Sequence, residues 1–114
     1  MKSLHTASLV EKDVKAIEAA AALLKRDFHA IEVRLFGSKA RGDDTIESDI
    51  DLLVITPGKV TWRERDHMTD ALYDIQLKHD VVISLLVVSD DEWKNGLITA
   101  LPIHEIIERE GIAA

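Results

Sequence analysis

The chain has 114 residues, of which 46% are hydrophobic and 31% charged, and its formal net charge is -7 at pH 7. This composition excludes disordered and fibrous proteins, and the length predicts a single domain over residues 1–114. The negative charge argues against nonspecific binding to DNA or RNA, so a phosphate ligand would need a local site. The absence of cysteine excludes disulfides and thiol catalysis. Together with the lack of a membrane-spanning apolar run, it favours a cytoplasmic location.

The first predicted elements are a helix and a short strand. Ser8 and Glu11 have the spacing of a capping box, and the helical spacing of the apolar residues that follow predicts an amphipathic helix over residues 9–28. Its apolar stripe consists of Val10, Val14, Ile17, Ala21, Leu24 and Phe28. Apolar and polar residues then alternate over residues 31–35, which predicts a strand with one buried face that ends at Gly37.

A second strand and a second long helix are predicted next. The strand runs over residues 50–55 and stops at Pro57-Gly58, which is a turn signal. Thr61 and Glu64 repeat the capping-box spacing and predict the start of the helix. The apolar stripe of this helix consists of Trp62, Met68, Leu72 and Ile75.

The last third of the chain predicts one more strand and two short helices. Residues 81–88 are almost all β-forming and apolar, which predicts a strand covered on both faces in the middle of the sheet. Ser89 with Glu92 caps a short helix, and Pro102 opens a final one.

The segment from Gly37 to Arg41 has the composition of a phosphate-binding turn. Gly37 breaks the first strand and lets the backbone approach a ligand closely. Ser38, Lys39 and Arg41 then offer a hydroxyl and two cations. Each cation, taken separately, is also explained as a solvated surface residue.

Two carboxylates open the second strand. Asp49 and Asp51 stand at positions i and i+2, so both point to the same face, about 7 Å apart along the backbone. Two like charges repel unless a cation lies between them, and Mg²⁺ prefers hard oxygen ligands together with substrate phosphates. We therefore expect both aspartates to bind magnesium and to be catalytic, although such a pair alone is also found at solvated strand ends.

The segment from Gly37-Ser38, through ten intervening residues, to Asp49-Ile50-Asp51 and an apolar strand resembles the signature of the nucleotidyltransferase superfamily that includes DNA polymerase β. The similarity is greatest to its minimal, single-domain members. It implies an α/β (α+β two-layer) nucleotidyltransferase fold, with a small mixed β-sheet and helices packed mainly on one face. It also implies that Gly37, Ser38 and Arg41 bind a nucleoside triphosphate such as ATP, while the two aspartates hold Mg²⁺.

The sequence departs from this superfamily at a third carboxylate, which active members carry on a neighbouring strand. Here that strand is predicted over residues 81–88 and contains no acid. The equivalent position is Val82 or Ser84. Asp80 lies earlier on the same face, and it could substitute only through a bulge or a shifted register.

Two functions therefore stand side by side. The first is an enzyme that transfers a nucleoside monophosphate, with AMP expected, from a Mg²⁺-bound triphosphate to a protein or small acceptor. The second is a noncatalytic, antitoxin-like nucleotide-binding module that acts through another protein. The minimal members imply a separately encoded helical partner of the HEPN class, and homo-oligomerisation stays open. The missing third acid favours the second function, and the intact Gly-Ser and Asp pair favours the first.

Overall fold

A four-stranded mixed sheet lies at the centre of the computed structural model, which describes Leu4, residues 9–43, Thr45 and residues 48–114. The strands are β1 (Glu32–Phe36), β2 (Ile50–Thr56), β3 (Ile83–Ser89) and β4 (Ile112–Ala113). Their order in the sheet is β3-β2-β1-β4. Strand β1 pairs antiparallel with β2 and β4, whereas β2 pairs parallel with β3. The mixed sheet and its helices confirm the predicted fold class.

Six helices and one 3₁₀ turn connect and cover the strands in the described part of the chain. The helices are α1 (Glu11–Phe28), α2 (Ser38–Arg41), α3 (Trp62–Ala71), α4 (Tyr73–His79), α5 (Asp90–Asn95) and α6 (Pro102–Glu110). The 3₁₀ turn is Leu97–Ala100. Both capping boxes with described residues form as predicted, because Thr61 and Ser89 each accept a hydrogen bond from the backbone three residues later. Of the described helices, none is long and apolar enough to cross a membrane.

The start of α1 differs from its prediction. The helix begins at Glu11, and Val10 precedes it in an extended conformation without a side-chain cap. Ser8, the predicted capping residue, lies outside the described residues. The apolar stripe of α1 is buried at Ile17, Ala21 and Leu24, while the first-turn Asp13 is also buried.

The position of β3 corrects one prediction, because this strand lies at the edge of the sheet and β2 lies inside it. Both faces of β3 are nevertheless covered, since Val87 and Val88 are buried in different apolar clusters. An apolar run indicates that the two faces of a strand are covered, but it does not indicate which strands lie beside it in the sheet. The prediction of covered faces was therefore right and the inferred place in the sheet was wrong.

The two faces of the sheet have separate apolar cores. The larger core joins β1 and β2 to α1 and to Met68 and Leu72, and the smaller core joins Leu53 and Ile55 to Trp93 and Ile107 of the C-terminal helices. Helices α1 to α4 cover one face. Helices α5 and α6 cover the other face, so β2 is buried along both sides.

The second predicted helix is interrupted. Helix α3 ends at Ala71, the N–H of the capping residue Leu72 donates to the backbone oxygens of Met68 and Thr69, and α4 starts at Tyr73. Trp62 is 71% exposed and does not belong to the apolar stripe. The predicted stripe is therefore wrong at Trp62, but it holds for the buried Met68 and Leu72 and for the partly buried Ile75, which packs against the same core.

The Thr61 cap yields a stability prediction, because its hydroxyl accepts from Glu64 N at 3.1 Å on the protein surface. Thr61→Ala should lower the free energy of unfolding by about 1 kcal/mol, since it leaves a backbone donor of α3 without a side-chain acceptor. Denaturant titration measures this loss. Thr61→Ser retains the acceptor and is the control, and an equal loss in both variants would contradict the capping role.

Candidate functional site

The turn after β1 touches the carboxylate at the start of β2. Antiparallel pairing sets Phe36 opposite Asp51, so Gly37 begins its turn beside that acid. A side chain at Gly37 would run into Oδ2 of Asp51 and come within 3.2 Å of its Cγ. The backbone of Gly37, with φ 78° and ψ -160°, also lies in a region that only glycine adopts easily. Glycine is thus required here both for its conformation and for the close approach.

The charges of Asp49 and Arg41 both act on the carboxyl group of Asp51. Partial burial raises the pKa of the Asp51 carboxyl, the negative charge of Asp49 raises it further, and the guanidinium of Arg41 lowers it. Asp49 itself is exposed and immediately precedes β2. Arg41 is also exposed, and its Nε lies 3.2 Å from Oδ2 of Asp43. The predicted acids and Arg41 therefore form one electrostatic group at the ends of β1 and β2.

Ser38 begins the four-residue helix α2, directly after Gly37. The backbone oxygen of Gly37 accepts from the N–H groups of Ala40 and Arg41, both at 3.1 Å. The backbone oxygen of Ser38 accepts from Gly42 at 2.9 Å. Ser38 is half-buried, and its backbone is fixed between the glycine and the one-turn helix.

Lys39 belongs to a different group, so the interpretation of this residue as a phosphate ligand or a surface cation is wrong. Its Nζ lies 2.8 Å from Oδ2 of Asp13 in α1, and both side chains are almost fully buried. The predicted stripe of α1 did not include Asp13, so the pair was not predicted. The available signal was the position of Asp13, because it lies four residues before Ile17 on the buried stripe of α1.

Of the two positions considered for the third carboxylate, Ser84 lies within β3 and Val82 immediately precedes it. Parallel pairing sets Ser84 directly opposite Asp51, and the Ser84 side chain is exposed. Asp80 is the left-handed C-cap of α4, with φ 53°, and lies outside β3. Strand alternation therefore does not extend to Asp80, and the prediction that Asp80 lies on the same face of this strand is wrong. Its backbone oxygen accepts from Lys12 Nζ at 3.1 Å.

The donor set suits a hard divalent cation better than a softer metal. Asp49 and Asp51 offer carboxylate oxygens, and the raised pKa of Asp51 reflects burial and a neighbouring negative charge. Within the described residues, no group of three or more histidines and acids is arranged to bind a metal. The two carboxylates would therefore need phosphate or water oxygens to complete a coordination shell.

The Gly37 turn follows one inner strand, β1, and contacts the Asp51 carboxylate near the start of the other inner strand, β2. The chain belongs to the nucleotidyltransferase domain family, whose sequence profile matches residues 17–112. This family generally uses a divalent metal.

Two proteins of Methanocaldococcus jannaschii resemble part of the chain. Both are named as proposed protein adenylyltransferases, and they are 43% identical over 60 residues and 38% identical over 55 residues. These matches cover 53% and 48% of this chain, and 55% and 56% of the relatives. The chain thus spans about half the length of these relatives.

A solved structure resembles the chain over nearly its whole length. It is that of a proposed minimal nucleotidyltransferase, which is 29% identical and has a TM-score of 0.61. The match covers 97% of this chain and 95% of the other. The nucleotidyltransferase fold expected from the sequence is thereby confirmed.

The contact between Gly37 and Asp51 yields a second prediction. Gly37→Ala should lower stability by about 1–3 kcal/mol through backbone strain and should also displace the Asp51 carboxylate, which weakens binding of MgATP. Thermal unfolding and calorimetric titration measure the two effects. Gly42→Ala is the matched control, because Gly42 also has a positive φ of 81° but has open space around it. Equal losses of ATP affinity in both variants would show that strain alone is responsible.

Proposed function

We propose that this chain is an enzyme that transfers a nucleoside monophosphate, with AMP the first candidate, from a nucleoside triphosphate to a hydroxyl of a protein or small acceptor. The observation that carries the proposal is the contact between the Gly37 turn and Asp51, with Asp49 and Arg41 close enough to act on the same charge. Family membership supports nucleotide transfer, and the names of the partial relatives support adenylylation.

Each residue of this group has an assigned role in the proposal. Gly37 and Ser38 receive the triphosphate along the backbone, and Arg41 offsets part of its negative charge. Asp49 and Asp51 hold Mg²⁺, which when bound supplies charge neutralisation at the phosphates. The acceptor hydroxyl loses its proton to solvent and its oxygen forms a bond to the α-phosphorus. The bond between the α-phosphorus and the oxygen that bridges to the β-phosphorus breaks, and pyrophosphate leaves with that oxygen. Positioning and charge dominate such chemistry, so few side chains suffice.

The rigidity of β2 supports this assignment. Ile50 and Leu52 flank Asp51 and are fully buried in the larger core. A carboxylate between two buried anchors has little freedom to move, and a site on a strand is held more precisely than one on a loop.

Removal of both carboxylates tests the metal assignment. Asp49→Asn with Asp51→Asn should abolish Mg²⁺-dependent ATP binding and leave the fold intact, because the change removes two like charges from one end of a strand. Calorimetry at saturating Mg²⁺ and circular dichroism measure the two parts. Asp66→Asn with Asp70→Asn is the control, since it removes two exposed charges from α3. ATP affinity that is unchanged in the first variant would contradict the assignment.

The exposed Ser84 opposite Asp51 favours slow chemistry, and it is the specific observation behind the alternative of a noncatalytic, antitoxin-like module. A serine is a poor base, and a positioned general base typically contributes about 10²- to 10⁴-fold. An acceptor or a partner that brings its own carboxylate would supply the missing general base.

Introduction of the third acid tests whether the missing base limits the rate. Ser84→Asp should raise the single-turnover rate of AMP transfer by about 10²-fold, because it sets a carboxylate beside Asp51. Asp80→Asn should change the rate little, because Asp80 lies in a helix cap. Val82→Asp is the control for added charge one pleat away. A wild type that is already fast and gains nothing from Ser84→Asp would point to a base supplied by the acceptor or partner.

A separate acceptor-binding protein completes the proposal. We infer that residues 1–114 act as one domain and that this domain works in the cytoplasm. The absence of cysteine supports the location, because a reducing compartment does not favour disulfides. The acceptor is then presented by a helical partner of the HEPN class, as in toxin–antitoxin pairs, or by a second copy of the chain. Incubation with Mg²⁺ and each labelled triphosphate, with and without the protein encoded beside it, tests both the nucleotide and the acceptor. Labelling of neither protein under any condition would favour the noncatalytic alternative.

A further inference from the structure

The helix that begins at Ser38 is too short to hold its own position. α2 spans only Ser38–Arg41, and a helix of one turn is unstable in isolation because nucleation costs more than one turn of hydrogen bonds returns. Its backbone bonds to the oxygens of Gly37 and Ser38 close the turn on itself. They do not attach the turn to the rest of the protein, so side chains must do so.

Two consecutive side chains attach α2 to the protein interior. Ala40 is buried in the larger apolar core. The ammonium of Lys39 lies 2.8 Å from Oδ2 of Asp13 in α1, with only 4% and 3% of the two side chains exposed. Ser38 and Arg41, the other two residues of α2, are more exposed. The turn is therefore held at its two middle residues, while its first and last residues are accessible.

The ion pair supplies a constraint that the alanine contact cannot supply. Apolar burial has no preferred direction, whereas a charged hydrogen bond defines both a distance and an angle. Burial of two ions is costly, and apolar side chains of similar shape are often equally stable or more stable. Stability alone therefore does not account for a buried ion pair at this position.

We propose that Asp13 and Lys39 form a positioning pair that sets the Gly37–Arg41 turn for the triphosphate. Neither residue contacts the nucleotide, and both act through the placement of Ser38 and Arg41 beside Asp51. The inference rests on the proposed function, in which this turn binds the triphosphate. The pairing also directs the charge of Lys39 toward α1, so Arg41 is the cation of this turn that acts on Asp51.

The test replaces both charges with side chains of the same shape. Asp13→Leu keeps the branching of the aspartate and Lys39→Met keeps the unbranched stem of the lysine, so the double variant should fold with stability close to that of the wild type. Without nucleotide, the amides of Ala40, Arg41 and Gly42 should exchange about tenfold faster, whereas those of β2 should not change. The affinity for MgATP should fall about tenfold.

The control removes an exposed ion pair from the same helix. Glu11→Gln with Lys15→Gln breaks a 3.2 Å pair whose side chains are mostly exposed, and it also removes an acid from the first turn of α1. Amide exchange in α2 and ATP affinity should both stay at wild-type values. If the Leu/Met variant does not fold, Asp13→Asn with Lys39→Met removes the same charges and is judged by the same measurements.

The outcomes separate this inference from the proposed function. A stable double variant whose α2 amides exchange at the wild-type rate, or which binds MgATP as tightly as the wild type, overturns the positioning role. A wild-type chain that does not bind MgATP refutes the proposed function instead. In that case the exchange rates alone decide whether the pair holds the turn.

Discussion

The close approach of Gly37 to Asp51 is the constraint on which the candidate site depends. It exists because β1 and β2 are antiparallel neighbours, so the end of one strand meets the start of the other. The residue after β1 must then turn away without a side chain, and the backbone of Gly37 does so in a conformation suited to glycine. The turn that begins at Gly37 and the carboxylate of Asp51 meet at this junction, while the orientation of the turn is assigned to the Asp13–Lys39 pair.

Local signals predicted most of the helices and strands, and longer-range geometry explains what they missed. Capping boxes at Thr61 and Ser89 and the proline at Pro102 fixed helix starts, because these signals depend on residues three or fewer positions apart. The two-residue strand β4 gave no signal, since its existence depends on pairing with Arg34 and Leu35. The edge position of β3 was also hidden, because burial of its faces does not reveal its neighbours.

The candidate site was predicted better for its backbone than for its charges. Gly37, Asp49 and Asp51 follow a spacing that local chain geometry explains, and the structure brings Gly37 and both acids together, although their roles stay predictions. Lys39 and Arg41 are both cations, so their residue types alone gave no indication that they serve different purposes. Only the three-dimensional contact with Asp13 separates them, and the acid on a buried helix stripe was the one hint in the sequence.

The strand that precedes the candidate site can be fully paired only after β4 has been synthesised. Ile112 is fully buried and pairs with Leu35, two residues before Gly37, so the strand that carries the turn is completed by the most C-terminal segment of the sheet. Contacts between such distant parts of a sequence form slowly, because the intervening chain must first lose its freedom. During synthesis the strand before the turn therefore lacks one of its two neighbours until Ile112 and Ala113 have been added to the chain.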